Sequence, residues 1–134
     1  MTYPVTVAPD VVALTLNALA AGMADPPAMG AAIPNPRPDS FIRVRLTGPG
    51  KGRTDPCVDT AGVTVEAYAS RTDDAHDIAQ EARGVILAMR GATVDGSPIY
   101  RVEDGGHPVE LPDPLTDQPR FTFTAAIGVR TTTP

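Results

Sequence analysis

The spacing of apolar side chains changes from helical to alternating and back along the chain, and each change predicts an element. Behind Asp10, Val12, Leu16, Leu19, Ala20 and Met23 recur at helical spacing, with Asp10 placed as the N-cap. This first helix should stop between Gly22 and Asp25. The following PPAMGAAIPNPRPD is too rich in proline for a helix or a central strand, so residues 25–39 read as an extended connector.

In FIRVRLT, Ile42, Val44 and Leu46 alternate with Arg43 and Arg45, the period of a strand with one buried and one wet face. AGVTVEAYA repeats the pattern, with Val63, Val65 and Ala67 on one side and Thr64, Glu66 and Tyr68 on the other. If the two strands pair, Glu66 meets the arginines on the exposed face.

From Thr72 to Arg90 the period is helical again, and Ala75, Ile78, Ala79, Ala82, Ile86 and Met89 share a face. Thr72 is the expected N-cap and Gly91 the residue that ends the helix. Asp73, Asp74 and Asp77 at its start and Arg90 at its end suit the helix dipole. Gly84, inside this helix, costs about 1 kcal/mol against alanine, which points to close packing against a sheet or a neighbouring chain.

PIYRVED alternates weakly. RFTFTAAIGVR alternates well, with Phe121, Phe123, Ala125, Ile127 and Val129 on one side. Between them, residues 105–119 carry too much Gly and Pro for regular structure. The predicted order is helix, strand, strand, helix, strand, strand. It gives an α+β domain, a mostly antiparallel sheet with two helices packed on one face, spanning residues 1–134 with an N-terminal arm at 1–9.

Composition narrows the function. There is no Trp, and only three Phe and three Tyr among 134 residues, so the core is built from small side chains and neighbouring subunits could add to it. A net charge of −5 argues against gripping nucleic-acid phosphates as the main task. A single cysteine, Cys57, implies no disulfide framework. No apolar run approaches a membrane span and no secretory leader is read at the start, so a soluble protein of the cytoplasm is expected.

The stretch LTGPGKGRTD, residues 46–55, packs glycines around Lys51 and Arg53 in the manner of a phosphate cradle. A Walker A loop, however, needs Ser or Thr after the lysine and a helix at once; here Gly52 and another strand follow. The stretch reads as a flexible inter-strand loop presenting Lys51 and Arg53. His76 sits in HDIAQ rather than HExxH, and His107 lies in the Gly/Pro-rich loop, so no metal site is expected. Cys57 reads as a small, partly buried side chain. With no nucleophile elbow and no nominated carboxylate pair, neither catalytic nor cofactor-binding residues are expected, and an enzyme is disfavoured.

The succession of FIRVRLTGPG, VDTAGVTVEAYASRTDDAHDIAQEARGVILAM, IYRVED, a break containing LPDP, and PRFTFTAAIGVR resembles the tail terminator proteins of long-tailed bacteriophages, particularly those of actinobacteria. The likeness runs from about Asp10 to Arg130 and lies in the order of blocks. It implies an α+β fold and a ring of six copies at the head-proximal end of the tail tube. The partners would be a second copy, the tail tube protein and a neck protein of the head, with genomic DNA passing through the lumen without sequence-specific binding. The protein would reside in the virion, assembled in the host's cytoplasm, with no membrane involved. Arg43, Arg45, Lys51, Arg53 and Glu66 become candidates for contacts between subunits or with the tube; an ordinary solvated sheet face is the competing reading of the same residues. The alternatives are another head-to-tail connector or head-completion protein, and a monomeric binding or regulatory domain.

Overall fold

The computed structural model describes residues 4–55 and 57–134; the first three residues of the expected arm, and Pro56, lie outside them. In chain order the elements are α1 (Val11–Gly22), β1 (Ala28–Gly30), β2 (Phe41–Leu46), β3 (Gly52–Asp55), β4 (Val58–Tyr68), α2 (Thr72–Ala88), β5 (Thr93–Val94), β6 (Ser97–Asp104), β7 (Val109–Glu110) and β8 (Arg120–Arg130). The eight strands form one sheet in the order β1-β2-β4-β8-β6-β5, with β3 beside β4 and β7 beside β8. Among the described residues only β1 runs parallel to its neighbour, so the domain is α+β with a mixed, mostly antiparallel sheet.

The four predicted strands are β2, β4, β6 and β8. β1 lies inside the connector, β3 inside the stretch expected to be a loop, and β5 and β7 are two residues each. Each of these short strands takes its extended form from an edge offered by a longer strand. β5 and β6 turn through Asp95 and Gly96, both at positive φ, the backbone of a tight two-residue hairpin.

β4 and β8 pair along their whole length, Val58 opposite Arg130 through Tyr68 opposite Arg120. Their inward residues Val63, Val65, Ala67, Phe121, Phe123, Ala125, Ile127 and Val129 meet Ile42, Val44 and Ile99 in one core. The helices close that core from one side. α2 and its Met89 cap contribute Ala75, Ala79, Ala82, Ile86 and Met89; these three alanines are fully buried, which lets the helix lie close against the strands. Each large aliphatic side chain sealed here is worth about 1.5–3 kcal/mol. Leu46 continues the alternation but stays exposed, because the core beneath the helices ends at Val44.

Asp10 caps α1 as expected, its carboxylate accepting from the Ala13 N–H at 3.0 Å. The buried face is rotated from the predicted one. Val11, Leu14, Thr15 and Leu19 point inward, Val12 and Leu16 are half-buried and Ala20 is exposed. Thr15 is tolerated inside because its hydroxyl donates back to the Val11 carbonyl at 2.7 Å. In α2, Thr72 is the first helical residue; Arg71 holds the N-cap position without a side-chain hydrogen bond. The helix ends at the Met89 cap, so Arg90 lies beyond it. Gly91, at φ +78°, begins the return to the sheet through its N–H on the Ile99 carbonyl.

Gly84 does not serve close packing within the chain. A methyl group there would meet no atom within 4 Å. Gly84→Ala is therefore expected to stabilise the isolated chain by about 1 kcal/mol in urea unfolding; a loss of stability would show that something occupies that space.

Candidate functional site

The face of the sheet turned away from the helices carries a charged network. Register places Arg43 opposite Glu66 and Arg45 opposite Thr64, while Tyr68 lies opposite both Phe41 and Arg120 on its two sides. One Glu66 carboxyl oxygen takes the Arg43 Nε at 2.7 Å and the Arg45 Nε at 3.1 Å; the other takes an Arg120 guanidinium nitrogen at 2.8 Å. The Tyr68 hydroxyl also donates to it at 3.3 Å. The expected pairing of Glu66 with the arginines of β2 thus occurs, but Glu66 is only 1% exposed rather than on a wet face.

Three guanidinium groups around one carboxylate leave the cluster net positive in a chain that is negative overall. Burial works against the Arg120 charge. The Tyr68 hydroxyl and the Glu66 carboxylate outweigh it and raise its pKa above the ordinary arginine value.

An aromatic and cationic cap adjoins the network. Phe41 and Tyr68 stack with ring centres 4.3 Å apart, and the Arg37 guanidinium lies over both rings, 5.6 and 5.7 Å from their centres. The same Arg37 bonds Asp113 at 2.9 Å, Gln118 at 2.8 Å and Thr116 at 3.3 Å. It therefore joins the 25–39 connector to the 105–119 loop. Asp113 is buried, and it also accepts from the Leu115 N–H at 2.9 Å. Arg120 holds the other side of the loop through the Leu111 carbonyl at 2.7 Å. Leu115, at the tip, is left 91% exposed.

The glycine-rich stretch forms a turn and an edge strand. Gly48, Gly50 and Gly52 all take positive φ, and a methyl group on Gly50 would come within 2.5 Å of the Thr60 carbonyl, so glycine is required by the tight fold of the turn onto β4. Lys51 pairs with Glu103 at 2.6 Å. Arg53, in β3, reaches Asp59 at 4.0 Å and the Thr6 hydroxyl and carbonyl at 3.1 Å. Both cations thus have partners within the chain, and they stand apart from the Glu66 network. Of the candidate contact residues, Arg43, Arg45 and Glu66 come together; Lys51 and Arg53 do not join them.

Gln80 bridges the two histidines, 3.4 Å from His76 and 3.1 Å from His107. Among the described residues, no three His, Cys, Asp or Glu side chains are grouped to hold a metal ion, and no helix is long and apolar enough to cross a membrane. Cys57 is exposed rather than partly buried.

Asp113 has its pKa lowered, first by the Leu115 N–H and then by Arg37; Asp104 is lowered by Arg83 and then by the Gly106 N–H. A carboxyl group lowered in the folded state adds stability above its unfolded value, near 4, and loses it as pH falls through the folded value. The urea midpoint should therefore be flat from neutrality to about pH 5 and fall below about pH 4. Asp113→Asn should flatten that fall; an unchanged slope would remove Asp113 from the account.

Arg120, Arg37, Asp113 and the stacked rings were not nominated by the sequence. The available signal was weak: Tyr68 sits in the polar phase of β4 and an arginine opens β8, but only the register between strands brings them together. The class defined by this architecture is an α+β domain with one sheet face under two helices and the other built around arginine, carboxylate and aromatic side chains. Compared with protein-family models and with curated proteins, the chain matches none.

Proposed function

We propose that the protein is a structural component of a long-tailed bacteriophage virion, forming a ring that caps the head-proximal end of the tail tube, stops its polymerisation and offers the head its attachment surface. The reading begins from the order of sequence blocks between Asp10 and Arg130. One structural observation supports it most: a half-buried ion pair, Arg37 with the buried Asp113, holds a loop whose tip exposes Leu115 to water. With the exposed Val109 and Leu111 it makes an apolar patch on a fixed base, which suits contact with another protein. No covalent chemistry is needed, because a ring ends growth sterically by binding the last tube ring on one face and refusing a tube subunit on the other.

The test is electron microscopy of lysates of the parent phage with this gene disrupted. Overlong, headless tails are expected. Tails of normal length lying apart from filled heads would move the protein to the connector. Intact virions would overturn both assembly roles.

A further inference from the structure

We propose that the Leu115 tip of one copy seats in an apolar groove between α1 and α2 of a second copy, making a head-to-tail contact. The inference rests on the ring reading and adds the residues that would close it.

The groove has a volume of about 340 Å³ and is lined by Ala18, Ala21, Val85, Ala88, Met89 and Val94, with Gly22 at its base. A methyl group on Gly22 would come within 2.8 Å of Val85, so the two helices approach most closely there and leave a shallow, uncharged trough. The projection that matches it comprises Val109, Leu111 and Leu115, all at least half exposed. Its base cannot easily retract, because Leu111 is bonded on both sides to Arg120 and Asp113 is buried against Arg37.

One chain cannot satisfy both features. The loop adjoins the N-terminal end of α2, where Pro119 accepts from the Ala69 N–H, and its base is tied to Arg37 on the helix-free face. The groove lies at the C-terminal end of α2 on the helical face. A 17-residue helix spans about 25 Å, so the loop, which adjoins the start of α2, and the trough at its end are about a helix length apart. Two different patches meeting between identical copies make a heterologous contact, which closes into a ring or continues as a filament according to its rotation.

Charge favours the same occupant. Arg90, exposed just past Met89 at one end of the groove, makes no ion pair among the described residues, and neither do Glu110 and Asp117, exposed on the projection; Asp95, exposed beside the groove's Val94, is held by Asn17. The free Arg90 at one end of the trough and the acidic flanks of the tip favour this seating over that of a basic segment.

The experiment pairs Leu115→Cys with Ala88→Cys in a chain carrying Cys57→Ser, oxidised and run without reductant, with light scattering on the same unoxidised samples. A ladder of linked chains beyond the dimer, given by the double variant and by neither single variant, is expected. Separately, Leu115→Asp should weaken association about tenfold or more, judged from the apolar area removed. Arg90→Glu should also weaken it, and Arg90→Glu combined with Asp117→Arg should restore it. An oligomer by scattering with no ladder would overturn this contact and leave the ring reading intact. A monomer at every concentration would overturn the contact and count against the ring. Linked dimers alone would show a two-fold contact through another face and also overturn it.

Discussion

Glu66→Ala is expected to cost about 3 kcal/mol, because it leaves the positive charges of Arg43, Arg45 and Arg120 crowded together with no counter-charge. Arg43 and Arg120 are mostly covered; Arg45 is nearer to water and can turn outward. The loss should therefore sit at the lower end of the range for breaking a buried pair. Chemical unfolding of the wild type, Glu66→Ala and Glu66→Gln would measure it. Glutamine keeps the shape and an acceptor for one guanidinium, so it should recover part of the loss and not all of it. Equal stability in all three would mean that the arginines find solvent freely and that the carboxylate organises nothing. The consequence reaches the loop, since Arg120 also bonds the Leu111 carbonyl: proteolysis between residues 105 and 119 should quicken in the alanine variant.

Gly105→Ala should cost about 2–3 kcal/mol, the upper part of the range for overpacking, for a reason unrelated to charge. Gly105 lies directly against β8, where its N–H bonds the Thr124 carbonyl at 2.9 Å, and an added methyl group would overlap both the hydroxyl and the carbonyl oxygen of Thr124. Side chains can move aside; backbone in the middle of a long strand cannot. Adding Thr124→Ala should return only part of the loss, because the carbonyl obstruction remains. Full recovery would show that the hydroxyl was the whole obstacle. Gly84→Ala, expected to change stability in the opposite direction, is the matched control.

The long elements were legible because their own side chains carry the period. β2, β4 and β8 alternate strongly, and α2 has an unbroken small apolar face. The misses share a different origin. β1, β3 and β7 have no pattern of their own and exist because a neighbour offers an unpaired edge. β5 was signalled by Asp95-Gly96, a local cue in plain view. The alternation of β2 was read as placing Leu46 inside, yet period says only which side a residue faces and not how far the covering helices extend. Glu66 shows the converse. Its polar phase was correctly read, but its burial depends on arginines from two neighbouring strands. Arg120 is 54 positions away, and the Arg37–Asp113 lock spans 76. No local window holds such pairs, so the most connected part of the candidate surface was the least visible in the sequence.

The position of β8 bears on how the molecule is made. Of the long strands of this sheet it leaves the ribosome last, yet it occupies the interior, between β4 and β6. A nascent chain that has not yet released Arg120–Arg130 holds two facing strand edges open with nothing between them, and Phe121, Phe123, Ala125, Ile127 and Val129 are missing from the apolar layer beneath the helices. Folding of the sheet is thus deferred until Arg120–Arg130 has emerged, and a chain cut short before Arg120 would lose the keystone of the sheet rather than its border.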